Sequence, residues 1–144
     1  MSLTWEEKEK LVEAWKDFLK VQEFDGFVTV TFDPNRFAPA TSAMLAIDRA
    51  GRQIGKFYDS IKVKRGQWSF IVAEQHRSGI YHCHGMTRSR TMDRCMEFSA
   101  LEKWLSQTCG WSRVRVCRDM GDVRAYVSKY LIKRACDHRF VGNR

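Results

Sequence analysis

Two neighbouring stretches, Gln67-Trp-Ser-Phe-Ile-Val-Ala-Glu74 and Ile80-Tyr-His-Cys-His-Gly-Met-Thr87, decide the fold of this chain. The first stretch is β-branched and aromatic, and it is too apolar to have one face in water, which predicts a strand in the middle of a sheet. Residues 75–79 are expected to turn. We therefore predict an antiparallel hairpin between strands over 67–74 and 80–87.

The remaining patterns surround this hairpin with helices and further strands. Amphipathic spacing predicts four helices, over residues 2–22, 41–60, 95–107 and 123–135. The second helix is expected to be somewhat interrupted at Gly51 and Gly55. Two β-rich runs predict strands over 27–32 and 111–117, the latter with Arg113 and Arg115 on one face. The last nine residues are polar, and we expect them to fray. This order predicts an α+β fold with a central antiparallel sheet of about four to five strands and flanking helices.

Length and charge narrow the class of protein. A chain of 144 residues has the usual size of one domain. Its 25 Lys and Arg against 17 Asp and Glu give a formal charge of +8. Such an excess favours a polyanionic partner, with nucleic acid as the leading class, although a generally basic protein would carry the same balance.

Cysteine usage and the N-terminus indicate the compartment. The five cysteines form an odd set without a CxxC pair, which argues against a disulfide framework and a zinc ribbon. We expect reduced thiols in a cytoplasmic protein. The first residues bring charges at once, so no signal peptide is predicted, and no apolar run is long enough to cross a bilayer.

The histidines of the second strand suggest a metal site. In an extended strand His82 and His84 would project from the same face, while Cys83 would point away. A tight hairpin could bring the Glu74 carboxylate beside them, and two imidazoles with one carboxylate suit Mn²⁺ or Mg²⁺ with open coordination positions. The alternative is a pair of strand histidines that face solvent or bond to backbone carbonyls. His76 is interpreted as a surface residue.

A pair of tyrosines lies downstream in Tyr126-Val-Ser-Lys-Tyr130. On a helix, Tyr126 and Tyr130 would present two phenols on one face, with Lys129 and Lys133 on or next to it. A free tyrosine has a pKa of about 10, so nucleophilic attack at neutral pH requires nearby cations or a general base. The alternative is a pair of half-buried packing residues with hydrated hydroxyls.

Three ordered stretches together resemble the HUH endonucleases of the rolling-circle replication initiator type. They are Phe27-Val-Thr-Val-Thr-Phe32, then Glu74 with Tyr81-His82-Cys83-His84-Gly85, then Tyr126-Val-Ser-Lys-Tyr-Leu-Ile-Lys133. Cys83 occupies the hydrophobic middle position of the motif. The resemblance spans roughly residues 27–133 and implies a single HUH endonuclease domain over 1–144, with an N-terminal helix at about 2–22 and a catalytic core at about 26–135. It also implies the ferredoxin-like palm of that superfamily.

The resemblance implies an enzyme that nicks and rejoins single-stranded DNA or a DNA hairpin through a 5′-phosphotyrosine, as in the initiation of rolling-circle replication. It implies that His82 and His84 ligate a divalent ion, Mn²⁺ or Mg²⁺, with Glu74 as third ligand. Tyr126 would be the nucleophile and Lys129 would place charge near the phosphate. Because the motif has the paired form Tyr-x-x-Lys-Tyr, Tyr130 is a possible second nucleophile. Such a protein would act in the cytoplasm of a bacterial host, or be encoded by a virus or plasmid.

Other functions share these residues. A transposase or relaxase of the same superfamily would use every one of them, and a non-catalytic origin-binding module would keep the fold. The stretch Gly51-Arg-Gln-Ile-Gly55-Lys56 is one residue too short for a P-loop and is followed by Phe57, so any helicase would be a separate protein. Single-stranded DNA requires basic and stacking surfaces. Our candidates for the basic contacts are Arg77, Arg88, Arg113, Arg115 and Lys133, and Trp111 or Tyr81 are candidates for stacking.

Overall fold

The computed structural model describes residues 3–63, 66–117 and 137–143, with the backbone alone described at Trp68 and throughout 137–143. The elements in these ranges are α1 Trp5–Val21, β1 Gly26–Val30, α2 Ala43–Ser60, β2 Gln67–Gln75, β3 Tyr81–Thr87, α3 Arg94–Thr108, β4 Ser112–Val116 and β5 Asp137–Asn143. The helix expected over 123–135 lies outside the described residues.

The strands form one five-stranded sheet in the order β4-β1-β3-β2-β5, and every neighbouring pair is antiparallel. From β1 to β4 the chain follows the β-α-β-β-α-β order of ferredoxin-like folds. The α+β prediction with a central antiparallel sheet and flanking helices is therefore confirmed. The predicted hairpin is also confirmed, and β2 lies inside the sheet between β3 and β5.

Side-chain caps begin each of the three helices. The side chains of Thr4, Ser42 and Asp93 accept hydrogen bonds from backbone N–H groups three residues further on. The predicted interruption of α2 is wrong, because the helix is continuous through Gly51 and Gly55. Glycine costs roughly 1 kcal/mol relative to alanine inside a helix. Burial of several larger α2 side chains offsets this cost: Ile47, Ile54, Phe57 and Tyr58.

The predicted fraying of the last residues is also wrong. Backbone residues 137–143 form β5, which pairs with β2 from Ala73↔Asp137 to Gln67↔Asn143. Without this strand, one edge of β2 would present unpaired N–H and C=O groups, and pairing with β5 satisfies them. The partner lies more than 60 residues earlier in the chain, so a local polar pattern could not reveal the pairing.

Helices cover both faces of the sheet. Helices α2 and α3 pack on the face that carries alternate residues of β1, β2, β3 and β4: Val28, Val30, Ile71, Ala73, Cys83 and Val114. Helix α1 packs through Val12 and Leu19 on the opposite face, against Phe70, Val72 and Met86. Because side chains alternate along a strand, this second face also carries Glu74, His82 and His84. The candidate metal ligands thus lie on the α1 side of the two central strands.

Candidate metal centre

The hairpin register brings the three candidate ligands together. Glu74 on β2 and His82 on β3 are direct cross-strand partners, and His84 lies two residues further along β3 opposite Val72. The turn between the strands is closed by two backbone bonds of 2.9 Å, from His76 N–H to the Ile80 carbonyl and from Gly79 N–H to the His76 carbonyl. Gly79 adopts a φ of 89°, a conformation that glycine accepts readily. This turn fixes which residue faces which across the pair.

The ligand atoms lie at distances that fit one ion. The Nε2 atoms of His82 and His84 are 2.9 Å apart, and Glu74 Oε1 lies 3.1 Å from the first and 4.0 Å from the second. The point equidistant from these three atoms lies about 2.0 Å from each, close to the 2.0–2.2 Å of common divalent ions. Glu74, His82 and His84 are therefore close enough to hold a metal ion. No other group of this kind occurs among the described residues.

The chemistry of the donor set agrees with the distances. At 2.9 Å, two facing Nε2 atoms require a proton or a cation between them, because both cannot present lone pairs at that separation without repulsion. Two neutral imidazoles and one carboxylate leave coordination positions for oxygen ligands, and this combination suits hard or borderline divalent ions. The side chains are mostly shielded from solvent, with His82 only 5% exposed. Shielding strengthens electrostatic interactions at the cluster.

Two further residues, Thr29 and His76, contact the candidate ligand histidines. Thr29 Oγ1 on β1 lies 3.4 Å from His84 Nδ1, the ring nitrogen that faces away from the cluster. The exposed ring of His76 stacks on His82 with centroids 3.8 Å apart and planes inclined by 36°. The interpretation of His76 as a surface residue is confirmed, and the structure adds that the turn folds its ring back over His82 on β3. Contacts of this kind fix the orientation of ligand rings.

Cys83 separates the two histidines and points to the other face of the sheet. It is buried in the core below α2 and α3, as the strand alternation predicted. Burial raises the pKa of the Cys83 thiol well above its ordinary value, so the group stays protonated. The thiol acts as a small apolar side chain that packs β3 against the core on the α2 and α3 side of the sheet.

The candidate DNA-binding arginines occupy different parts of the sheet. Arg77 lies exposed in the β2–β3 turn, beside the cluster. Arg113 pairs in register with Thr29 and so lies on the cluster face. Arg115 is bound to the Glu102 carboxylate at 2.9 Å. Arg88 follows the far end of β3, where it donates a 2.7 Å hydrogen bond to the Gly66 carbonyl. Arg77 thus lies in the turn that joins the two strands of the candidate ligands, and Arg113 and Arg115 lie on the cluster face of β4.

The candidate catalytic residues Tyr126, Lys129 and Tyr130, together with Lys133, lie outside the described residues. The assignments of Tyr126 and Tyr130 as nucleophiles and of Lys129 as their neighbour stay predictions.

A second buried acidic residue was missed by sequence reasoning. Glu97 on α3 is 4% exposed and accepts hydrogen bonds from the Tyr58 hydroxyl at 2.7 Å and from the backbone N–H groups of Arg90 and Thr91. Burial and this hydrogen bond raise the pKa of Tyr58 above its ordinary value. The hydrogen bonds of Glu97 join α2, α3 and the segment after β3, so the role of this carboxylate is to hold these parts together.

Comparisons with known proteins returned no match to any protein-family description, curated protein or solved structure. Within the described ranges, no helix combines the length and apolar character needed to cross a membrane.

Proposed function

We propose that this chain is a metal-dependent endonuclease and strand transferase that nicks single-stranded DNA and retains the 5′ phosphate on a tyrosine. The observation that carries the proposal is the Glu74–His82–His84 cluster, whose three ligand atoms fit one ion on the central strands of a ferredoxin-like sheet. The net charge of +8 supports a polyanionic substrate.

Each residue has a defined part in the reaction. Mn²⁺ or Mg²⁺, held by Glu74, His82 and His84, would supply positive charge at a non-bridging oxygen of the scissile phosphate. The Tyr126 phenolate attacks phosphorus in line, forming an O–P bond while the bond from phosphorus to the 3′ oxygen breaks. The departing 3′ oxygen takes up a proton and becomes a hydroxyl. Lys129 favours the phenolate through its charge, and Tyr130 is available for a second transfer.

The reaction is reversible because the phosphodiester bond is exchanged and not hydrolysed. The 3′ hydroxyl can attack the phosphotyrosine, which restores the strand and releases the phenol. No nucleotide cofactor is needed for nicking or rejoining. A helicase, if the replication of a longer template requires one, would be a separate protein.

Rolling-circle replication is the biological setting that we propose for this reaction. A single-stranded nickase of this kind would initiate rolling-circle replication at a DNA strand or hairpin, in the cytoplasm of a bacterial host or on behalf of a virus or plasmid. Transposition and plasmid mobilisation would use the same residues, and the DNA substrate separates these settings.

A covalent adduct provides the direct test. We would incubate the protein with Mn²⁺ and a pool of 3′-labelled single strands of random sequence, denature it, and measure label that stays on the protein. We expect an adduct that EDTA abolishes, that Tyr126→Phe reduces strongly and that the double change with Tyr130→Phe eliminates. An adduct that survives the double change would refute the nucleophile assignment. Strand binding without any adduct would favour a non-catalytic binding module.

Metal binding is tested separately, without DNA. Titration of Mn²⁺ into the protein, followed by the loss of the free-ion electron paramagnetic resonance signal, should give one site. We expect each of three changes to weaken Mn²⁺ binding by more than about tenfold: Glu74→Gln, His82→Ala and His84→Ala. Loss of a residue that only supports a ligand already costs about tenfold or more in metal affinity, so loss of a ligand itself should cost at least as much. Glu102→Gln is the control, because it makes the same chemical change at a carboxylate on α3 that binds Arg115 and is not a candidate ligand. Equal affinities in all variants would refute the site.

A further inference from the structure

The sheet face that carries the candidate metal ligands continues across two further strands to the β4 edge. Thr29 on β1 pairs with His84 on one side and with Arg113 on the other. Neighbouring strands lie about 4.8 Å apart, so the Arg113 backbone lies about 10 Å from that of His84. The Arg113 side chain projects to this face because it pairs in register with Thr29, and the ring of Trp111, which precedes β4, lies beside the Arg113 guanidinium.

Trp111 is exposed at the start of this edge although its backbone is fixed. Its carbonyl accepts a 2.8 Å hydrogen bond from Thr31 N–H, and the preceding Gly110 lies against the Thr31 carbonyl oxygen. Gly110 has a φ of 145°, which side-chain-bearing residues rarely adopt. The indole nevertheless remains 58% exposed. A large aromatic ring is thus held in place by the backbone and presented to solvent.

The guanidinium of Arg113 lies over the indole, with its central carbon 4.9 Å from the ring centroid. Among the described residues no carboxylate lies within ion-pair distance of Arg113, whereas the neighbouring Arg115 is bound to Glu102. The attraction between the cation and the ring fixes the guanidinium without neutralising it. Arg113 therefore offers a positioned charge beside an open aromatic surface, with no carboxylate partner in the part of the chain that the structure describes.

We propose that Trp111 and Arg113 form a nucleotide-binding subsite on the sheet face that carries the candidate metal ligands. This inference rests on the proposed function. A base of the single strand stacks on Trp111, and its phosphate binds the Arg113 guanidinium. Aromatic surfaces with a basic neighbour bind single strands without sequence preference, because every base has a π-face. The distance from His84 places the subsite at a nucleotide close to the cut phosphate. It orients the strand across β1 toward the metal ligands.

The test measures which nucleotide the subsite holds. We would measure the affinity of the protein for strands of about 16 nucleotides, long enough for one binding site, with an abasic residue moved through successive positions. Wild-type protein should lose affinity at one or two positions by about 5- to 150-fold, the effect of one lost stacking contact. Trp111→Ala should bind intact strands more weakly by a similar factor and should lose its sensitivity at those positions. Trp111→Phe should restore part of both.

The charge is tested by the salt dependence of binding. Arg113→Gln should lower the slope of log affinity against log salt by about 0.7, as expected for one phosphate contact to a single strand. Two exposed residues serve as controls: Trp5→Ala on α1 and Arg52→Ala on α2, the latter on the other side of the sheet. Neither control should change the abasic profile. Circular dichroism of each variant verifies that it is folded.

The outcomes separate this subsite from the proposed function. Binding and adduct formation with the same abasic profile in wild-type and Trp111→Ala proteins would overturn the subsite alone. The expected profile without any covalent adduct would support the subsite and overturn the proposed catalysis. A wild-type protein that binds no single strand would overturn both. A change in oligomeric state on Trp111→Ala, with unchanged DNA affinity, would identify the indole as a contact between copies and overturn the subsite.

Discussion

Replacing the buried carboxylate of Glu97 should strongly destabilise the fold. This side chain is 4% exposed and accepts hydrogen bonds from three donors: the Tyr58 hydroxyl at 2.7 Å, Arg90 N–H at 2.8 Å and Thr91 N–H at 2.7 Å. Glu97→Ala removes the shared acceptor and leaves all three donors without it.

The magnitude follows from the kind of bond and from burial. Hydrogen bonds to charged groups contribute about 1.5–3 kcal/mol each. The Tyr58 bond is buried, whereas the two backbone groups are partly buried and water can reach them in the variant, so the lower value applies to those. Taking about 2 kcal/mol for the buried Tyr58 bond and about 1.5 kcal/mol for each backbone bond, we expect Glu97→Ala to lower the free energy of unfolding by about 5 kcal/mol and Tyr58→Phe, which removes one bond, to lower it by about 2 kcal/mol.

Urea unfolding followed by far-ultraviolet circular dichroism measures both effects, with the slope of the transition used to verify that the folded states are comparable. Lys103→Ala is the control, because Lys103 is exposed on the same helix, and it should change stability by less than about 0.5 kcal/mol. If Glu97→Ala unfolds within about 1 kcal/mol of the wild type, the carboxylate does not carry the network. If Tyr58→Phe is as destabilising as Glu97→Ala, the backbone bonds contribute nothing.

Three further predictions concern the backbone, the thiols and pH. Gly110→Ala should lower stability by about 2 kcal/mol or more, because a Cβ there would collide with backbone atoms at a φ of 145°. Gly55→Ala, where a Cβ would meet open space, should raise stability by up to about 1 kcal/mol. Urea unfolding midpoints that shift in the same direction in both variants would contradict this. Iodoacetamide at pH 8, followed by peptide mass spectrometry, should modify exposed Cys95 well before Cys83, whose pKa burial raises; equal rates would refute the difference. Because the pKa of Tyr58 is raised in the folded state, unfolding releases its proton above the ordinary pKa of about 10, so stability should fall as pH rises through that value. Tyr58→Phe should flatten the decline between pH 9 and 11, and an identical decline in both proteins would exclude Tyr58 as its source.

The hairpin and its register were accessible from the sequence because they depend on local information. Turn length fixes which residues face each other, and the spacing from Glu74 to His82 leaves room for one tight turn. Strand alternation likewise placed the histidines together and Cys83 on the opposite face. The Glu74–His82–His84 cluster was predictable because all three residues lie on these two adjacent strands.

Contacts between distant parts of the chain were not accessible in this way. Strand β5 pairs with β2 across a long separation, and neither strand's own pattern specifies a partner. The stacking of His76 on His82 depends on how the turn directs an exposed ring, which periodicity does not describe. In the sequence, Glu97 looks like an ordinary solvent-exposed helix residue. Its burial depends on hydrogen-bond donors from a loop and from another helix, which the local pattern does not reveal.

The candidate ligands sit on the middle strand of the sheet and on its neighbour, not on loops. In the unfolded chain Glu74 loses its register with the histidines, so the three-ligand site exists only in the folded state. An ion that binds there acts as a folding ligand, and at a hundredfold excess over its dissociation constant it would add about 2.7 kcal/mol to the unfolding free energy. The fraction of folded protein would then depend on the supply of the ion.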